Sequence, residues 1–258
     1  MTEYIIICLA AFIASGLTFF SGFGLGTILV PVFALFFPIE LAIALTGIVH
    51  FFNSVFKLFL VGRNADKTVL IRFGIPAVIA AFGGAWLLVH IPDAKPLFSY
   101  ELSGKVFEVY PIKFIISLLL IFFAILDMIP FFNKFEFGKE KLPLGGILSG
   151  FFGGLSGNQG ALRSAFLIKA GLSKESFIGT AVVISCFVDL TRISVYATKF
   201  VKEDLSNNII LIIIATLSAI TGAIIGNKLI KKVTLKFIQT LVAIMLLIIA
   251  LALGAGLI

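Results

Sequence analysis

Five charged side chains lie within otherwise apolar stretches of the 258-residue chain, and they carry its most informative chemistry. They are Lys57, Asp127, Arg163, Asp189 and Arg192. Ionisable groups are costly inside a membrane, so they tend to mark solute pathways, proton relays or internal ion pairs. Asp127 is close to the end of its stretch and is interpreted as interfacial. The other four predict either a pathway for a charged solute or ion pairs that hold helices together.

Arg163 is the most informative of these residues because it follows a glycine-rich interruption. It lies three residues after Gly160, in the first turn of a predicted short helix. An arginine at the middle of a membrane cannot easily extend its guanidinium to water. The sequence therefore favours a role for Arg163 in binding an anion. The alternative is a buried structural pair with Asp189.

Two apolar segments, 5–37 and 142–171, are too long for a single straight span. Segment 5–37 has 33 residues, so as one helix it would be about 50 Å long. Both contain clustered glycines, and each glycine disfavours a helix by about 1 kcal/mol relative to alanine. Each segment is therefore predicted to form two half-helices joined by an unwound stretch, with the second half-helices at 27–37 and 161–170.

The two breaks are predicted to build an anion site. Helix N-termini carry unpaired N–H groups and the positive end of the helix dipole, which together attract anions. Thr27 is expected to cap the first half-helix. Besides Arg163, the predicted substrate-binding residues are Ser21, Gly22, Gly24, Gly26, Thr27, Ser156, Gly157, Asn158, Gln159 and Gly160. The alternative reading of the glycines is close helix packing.

Two further polar faces are expected to line the cavity or to couple protons. His50, Asn53 and Lys57 share one face of their span, and Asp189 and Arg192 share a face of another. His50 and Asp189 are candidate proton carriers. In the alternative reading, Asp189 and Arg192 form an internal pair at helical spacing while Lys57 and Arg192 extend toward the membrane surface.

Composition places the chain in a membrane. Hydrophobic residues make up 60% of it and charged residues 13%, against about 25% charged residues in soluble domains. The continuous apolar segments favour helices over an alternating β-barrel pattern. They are 5–37, 41–61, 71–90, 111–130, 142–171, 174–197, 208–227 and 235–257. The predicted fold class is an all-α integral membrane protein forming one transmembrane domain over residues 1–258.

Other function classes find little support. The net charge of +7 could suggest nucleic-acid binding, but the sequence shows no solvated basic face for it. Basic cytoplasmic loops explain the charge better. No HExxH, Walker loop or paired-cysteine motif is present, and the chain has two histidines. Cys8 and Cys186 are interpreted as small buried hydrophobic residues. No enzyme activity, metal or cofactor is expected.

Charge bias predicts the topology. If both broken segments are re-entrant hairpins, one side of the membrane holds twelve Lys/Arg and four acids, and the other holds five Lys/Arg and seven acids. If all eight segments cross, the basic residues divide evenly and no bias remains. The positive-inside rule thus favours six crossings, two opposed hairpins and both termini outside the cytoplasm of a bacterial inner membrane.

The two halves, 1–130 and 142–258, are predicted to form an inverted-topology repeat. At an offset of 134 residues, Ser15-Gly16 matches Ser149-Gly150, Gly26 matches Gly160 and Thr46 matches Thr180. Both halves have the order of one broken segment followed by three whole spans. Many secondary transporters are built in this way, with the substrate site near the midplane, where broken helices meet.

The break motifs resemble those of a known family. The first reads Gly22-Phe23-Gly24-Leu25-Gly26-Thr27-Ile28-Leu29-Val30-Pro31, and the second reads Ser149-Gly150-Phe151-Phe152-Gly153-Gly154-Leu155-Ser156-Gly157-Asn158-Gln159-Gly160-Ala161-Leu162-Arg163. They resemble the TauE/SafE family of sulfite and organosulfur-anion exporters over about residues 5–257. The second copy departs from the family pattern, since Asn158-Gln159 interrupts the glycine run and Ala165 stands where proline is frequent.

The resemblance and the predicted anion site together lead to one expected function. It is secondary transport, by alternating access, of a small anion such as sulfite, a sulfonate or thiosulfate. A passive anion channel and a non-transporting membrane subunit are the alternatives. The expected partners are a small anionic solute and the lipid bilayer, and a homo-oligomer is left open.

Overall fold

Helices dominate the protein in a computed structural model that describes residues 1–18, 24–90, 95–102, 104–128, 138–168, 170–200, 207–229 and 235–257. In chain order the main helices are α1 Thr2–Leu17, α2 Leu25–Ala34, α3 Ile39–Val61, α4 Lys67–His90, α5 Pro111–Met128, α6 Leu142–Ser156, α7 Gly160–Ile168, α8 Lys174–Phe200, α9 Ile209–Leu229 and α10 Leu235–Gly254. Single 3₁₀ turns lie at Gly62–Asn64 and Lys139–Lys141. The predicted all-α class is confirmed.

The surface and interior have the polarity of a membrane protein. Within the described residues, four helices are long and apolar enough to cross a bilayer, and they are Ile39–Asn64, Lys67–His90, Lys174–Lys199 and Ile209–Gly226. On α4, the outward-facing row Ile71, Ile75 and Ile79 is 62%, 54% and 69% exposed. Asp189 and Arg192, in contrast, are fully buried. Apolar side chains facing outward and charges facing inward identify a multi-pass membrane protein.

Helix pairing is reciprocal between the two halves of the chain. The first helix of each half packs on the fourth helix of the other half, so α1 contacts α9 and α6 contacts α4. The third helices, α3 and α8, pack on each other, as do the fifth helices, α5 and α10. The two spans with predicted charged faces are therefore neighbours.

Small residues allow the cross-half pairs to pack closely. A Cβ atom added to Gly150 would lie 2.0 Å from the carbonyl oxygen of Ala77, and one added to Gly154 would lie 2.1 Å from that of Ala81. On the other pair, a Cβ at Gly222 would lie 2.1 Å from the carbonyl oxygen of Phe12. Such spacing is typical of membrane helices whose backbones touch through small residues.

Gly150→Ala should lower the free energy of unfolding by about 1–3 kcal/mol, because the added methyl group has no space between α6 and α4. The measurement is denaturant unfolding in detergent. Gly83→Ala is the matched control, since a Cβ at Gly83 meets nothing within 4 Å. Equal stability of the two variants would contradict the close packing.

A β-hairpin, which the apolar pattern does not predict, lies between the apolar segments 71–90 and 111–130. Strands β1 Phe98–Leu102 and β2 Lys105–Val109 pair antiparallel, with Tyr100 opposite Phe107. The two rings stack at 5.4 Å, and the Tyr100 hydroxyl donates to the carbonyl oxygen of Ala255 at 2.6 Å. The hairpin therefore contacts the end of the chain beyond α10.

Candidate functional site

The first helix break separates α1 from α2. Gly24 precedes α2 with a φ of +115°, a left-handed conformation that favours glycine. The prediction that Thr27 caps this helix is wrong, because the helix already begins at Leu25 and its N-cap is Gly24. Thr27 is instead a buried residue of the first turn. Ser21 and Gly22 lie outside the described residues.

The second break separates α6 from α7. Gly157 ends α6 with a φ of +80°, and α7 begins at Gly160, one residue before the predicted start. The Ser149 hydroxyl of α6 donates to the carbonyl oxygen of Gln159 at 2.8 Å, which ties the end of the break to α6. The Ser156 hydroxyl donates within its own helix, to the carbonyl oxygen of Phe152.

The two breaks approach each other. A Cβ atom added to Gly26 would lie 3.3 Å from the carbonyl oxygen of Gly157 and 3.6 Å from Cδ2 of His50. Glycine at position 26 thus permits the start of α2 to pass close to the second break. His50 on α3 is the side chain beside this crossing.

Asp189 is at the centre of a buried polar network. Its Oδ2 lies 2.5 Å from Nδ1 of His50, and its Oδ1 accepts from Nε2 of Gln159 at 3.0 Å. Arg192, one helical turn further along α8, donates from Nε to the same Oδ1 at 2.9 Å and places Nη2 at 2.8 Å from it. Asp189 and Arg192 are therefore ion-paired in the protein interior, and Arg192 does not extend toward the membrane surface.

Arg163 reaches this network through an amide. Its Nη1 donates to Oγ of Ser185 at 2.5 Å and to Oε1 of Gln159 at 3.2 Å. Gln159 donates in turn to Asp189, so it stands between the arginine and the carboxylate. Asp189 thus lies beside His50, accepts hydrogen bonds from Gln159 and Arg192, and is linked to Arg163 through Gln159.

A small cavity opens beside Arg163, between α3 and α8. Its volume is about 30 Å³, which is room for about two water molecules. Four apolar side chains line it together with the polar ones Thr18, His50, Ser54, Lys57, Arg163 and Ser185. Lys57 is 8% exposed and Arg163 is 2% exposed. Two buried cations and three hydroxyls on one cavity form a surface suited to an oxyanion.

The three polar residues predicted to share a face of α3, His50, Asn53 and Lys57, make different contacts. His50 and Lys57 line the cavity, whereas Asn53 accepts a hydrogen bond from the Ser15 hydroxyl of α1 at 3.1 Å. Ser54 takes the place beside the cavity that Asn53 was predicted to hold.

A family model matches almost the whole chain. The model of the sulfite exporter TauE/SafE family covers residues 7–253. The chain belongs to the TauE/SafE family of sulfite exporters. The search of the curated proteins and the search of the solved structures each found no match.

TauE/SafE membership makes this protein a membrane transporter of the sulfite-exporter type, and members of the family are transporters rather than enzymes. The two segments that carry the family resemblance coincide with the two helix breaks. Gly26 of the first motif lies beside Gly157, where the two breaks approach each other, and Gln159 and Arg163 of the second motif lie in the polar network. Leu25 of the first motif and Arg163 of the second line the cavity.

Sequence reasoning missed some polar residues of this TauE/SafE cavity, namely Thr18 and Ser54. The signal for Ser54 was present, because it lies four residues after His50 and three before Lys57, which is the same helical face. Thr18 gave no such signal, since it follows the last turn of α1 and its hydroxyl donates to the carbonyl oxygen of Ala14.

Groups able to hold a metal ion are not found among the described residues. Tyr196 is a buried residue of α8. That ring is 1% exposed, and its hydroxyl donates to the carbonyl oxygen of Gly154. The side chain of Asp127 lies outside the described part of the chain. Cys8 and Cys186 are both free thiols, and Cys186 is buried as predicted whereas Cys8 is only partly buried.

Proposed function

We propose that this protein is a secondary transporter of a small sulfur oxyanion or organosulfonate, and that the cavity between Lys57 and Arg163 is its binding site. One observation carries the proposal. The buried charged residues in the described chain are Lys57, Arg163, Arg192 and Asp189. Three cations and one carboxylate give this buried cluster a net positive charge, which favours an anionic ligand in a low-dielectric interior. A bound anion offsets that positive charge.

The chemistry of the cavity favours an oxyanion. Arg163 presents a planar fork of donors that matches paired oxygens, and Lys57 adds a compact positive charge. Ser185 already lies 2.5 Å from the Arg163 guanidinium, and Ser54 supplies a further hydroxyl on the opposite wall. A pyramidal or tetrahedral anion offers several oxygens to these donors at once, which a halide cannot.

Reciprocal helix pairing supports alternating access. The contacts of α1 with α9 and of α6 with α4 are what two halves, 1–130 and 142–258, produce when they are related by an internal two-fold axis. In this proposal the helix breaks are re-entrant hairpins, and the cavity lies where they meet. One half rocks against the other and exposes the cavity to each side in turn.

The proposed orientation in a bacterial inner membrane has both termini outside the cytoplasm. A reporter enzyme fused after Lys67 should then be cytoplasmic, and one inserted at Lys105 should be outside, because the basic residues concentrate on the side of Lys67. Activity of paired reporters that function on opposite sides of the membrane checks this. Reversed activities would overturn the orientation and leave the binding site untouched.

Flux into liposomes tests the function. Purified protein is reconstituted, and uptake of labelled sulfite, thiosulfate, a small sulfonate and acetate is measured against protein-free vesicles. We expect saturable uptake of the sulfur anions, accelerated when the same anion is loaded inside. Acceleration by internal anion is a property of a carrier that alternates. Flux without it would favour a passive channel, and no flux of any sulfur anion would refute the proposal.

A further inference from the structure

Two buried polar side chains on the far side of Asp189 lack hydrogen-bond partners among the described residues. They are Thr46, which is 0% exposed, and Asn158, which is 2% exposed. Neither the Thr46 hydroxyl nor either amide atom of Asn158 is satisfied there. Buried polar groups are nearly always hydrogen-bonded, and an exception points to a missing water, ion or ligand.

The chain neighbours of both residues lie close to the guanidinium of Arg192. A Cβ atom added to Gly47, the neighbour of Thr46, would lie 3.3 Å from Cζ of Arg192. One added to Gly157, the neighbour of Asn158, would lie 3.1 Å from Nη1 of Arg192. Glycine at both positions therefore lets two backbone segments approach the Arg192 guanidinium closely. Thr46 and Asn158 lie on these two segments.

The packing of α3 on α8 shows where Thr46 and Arg192 lie relative to the cavity. Lys57, near the end of α3, shares the cavity with Ile178, near the start of α8, while His50 contacts Asp189 further along. The two helices are therefore antiparallel. Thr46 lies one turn before His50 and Arg192 lies one turn after Asp189, so both are displaced to the same side. The His50–Asp189 pair separates them from Lys57.

We propose that Thr46, Asn158 and Arg192 form a second anion position, which the transported oxyanion occupies after or before the Lys57–Arg163 cavity. This inference rests on the proposed function. The anion accepts hydrogen bonds from the Thr46 hydroxyl and the Asn158 amide and lies opposite the Arg192 charge. Asp189 stands between the two positions, holding Arg192 on one side and, through Gln159, Arg163 on the other.

Thr46→Val and the near-isosteric Asn158→Asp test the second position. Each variant is purified, and equilibrium binding of labelled sulfite to detergent-solubilised protein is compared with flux in liposomes. Flux should fall at least about tenfold, since Thr46→Val removes a donor and Asn158→Asp adds a repelling charge. Binding, measured at the Lys57–Arg163 cavity, should stay within about twofold of the parent. Thr191→Val is the matched control, because the Thr191 hydroxyl bonds only within its own helix, to Phe187.

Three outcomes are decisive. Parental flux in both variants would overturn the second position and would leave water as the partner of Thr46 and Asn158. Parallel loss of binding and flux in folded variants would also overturn it, because the chain would then have one position rather than two. Failure of the unmodified protein to bind or move any sulfur anion would instead refute the proposed function itself.

Discussion

Arg163→Met should lower the rate of sulfur oxyanion uptake into liposomes by roughly 10- to 100-fold. The guanidinium is buried beside the cavity, where its charge and donors face the proposed ligand. A hydrogen bond to a charged group contributes about 1.5–3 kcal/mol, and each 1.4 kcal/mol corresponds to a factor of ten in affinity. Initial uptake rates across a range of substrate concentrations will show the loss as a raised half-saturation concentration.

Two comparisons separate binding from general damage. Arg72→Met makes the same substitution at an exposed site and should transport as the parent does. Arg163→Lys keeps the charge but loses the planar fork, so its uptake should fall between those of the parent and Arg163→Met. Should Arg163→Met match Arg72→Met in uptake while remaining monodisperse, the cavity is not the binding site.

The positions of the helix breaks were within reach of the sequence because glycine density is a strong local signal. The predicted starts at residues 27 and 161 differ from the observed starts at Leu25 and Gly160 by two residues or fewer. The capping detail was not predictable. Thr27 is a good capping residue by type, but the chain turns into α2 at Gly24, which adopts a left-handed backbone conformation.

The roles of the buried polar residues were harder to predict, because they depend on which helices become neighbours. Gln159 was expected to contact substrate, yet its amide oxygen and nitrogen are both engaged, by Arg163 and Asp189. Asn53 shares a helical face with His50, but it accepts a hydrogen bond from Ser15 of α1. The spacing of residues along one helix shows which of them share a face. Which helix packs against that face is determined by tertiary packing and cannot be read from the spacing.

The β-hairpin shows a different limit. Strand residues alternate around Gly104, whose φ of +78° suits a tight turn. That local pattern is present in the sequence, but it is short and lies between two long apolar segments, which give the stronger signal. The contact from Tyr100 to Ala255 joins residues far apart in the chain, and no local rule predicts it.

Asp189→Asn should lower the free energy of unfolding by about 3–5 kcal/mol. The carboxylate is fully buried and holds the equally buried Arg192 at 2.8 Å. Removing one partner of a buried ion pair leaves the other as an uncompensated charge, which is the costly outcome. The amide keeps the size of the side chain, so the loss reports charge rather than volume. Denaturant unfolding in detergent, followed by the fluorescence of Trp86, the single tryptophan, measures it.

A second substitution distinguishes the lost ion pair from other damage at Asp189. In the double variant Asp189→Asn/Arg192→Met the direct ion-pair partner of Asp189 is removed as well, so much of the lost stability should return. Glu101→Gln removes an exposed carboxylate and should change stability by no more than about 0.5 kcal/mol. If the double variant is as unstable as Asp189→Asn alone, the Asp189–Arg192 pair does not account for the loss, and the bonds of Asp189 to His50 and Gln159 become the explanation.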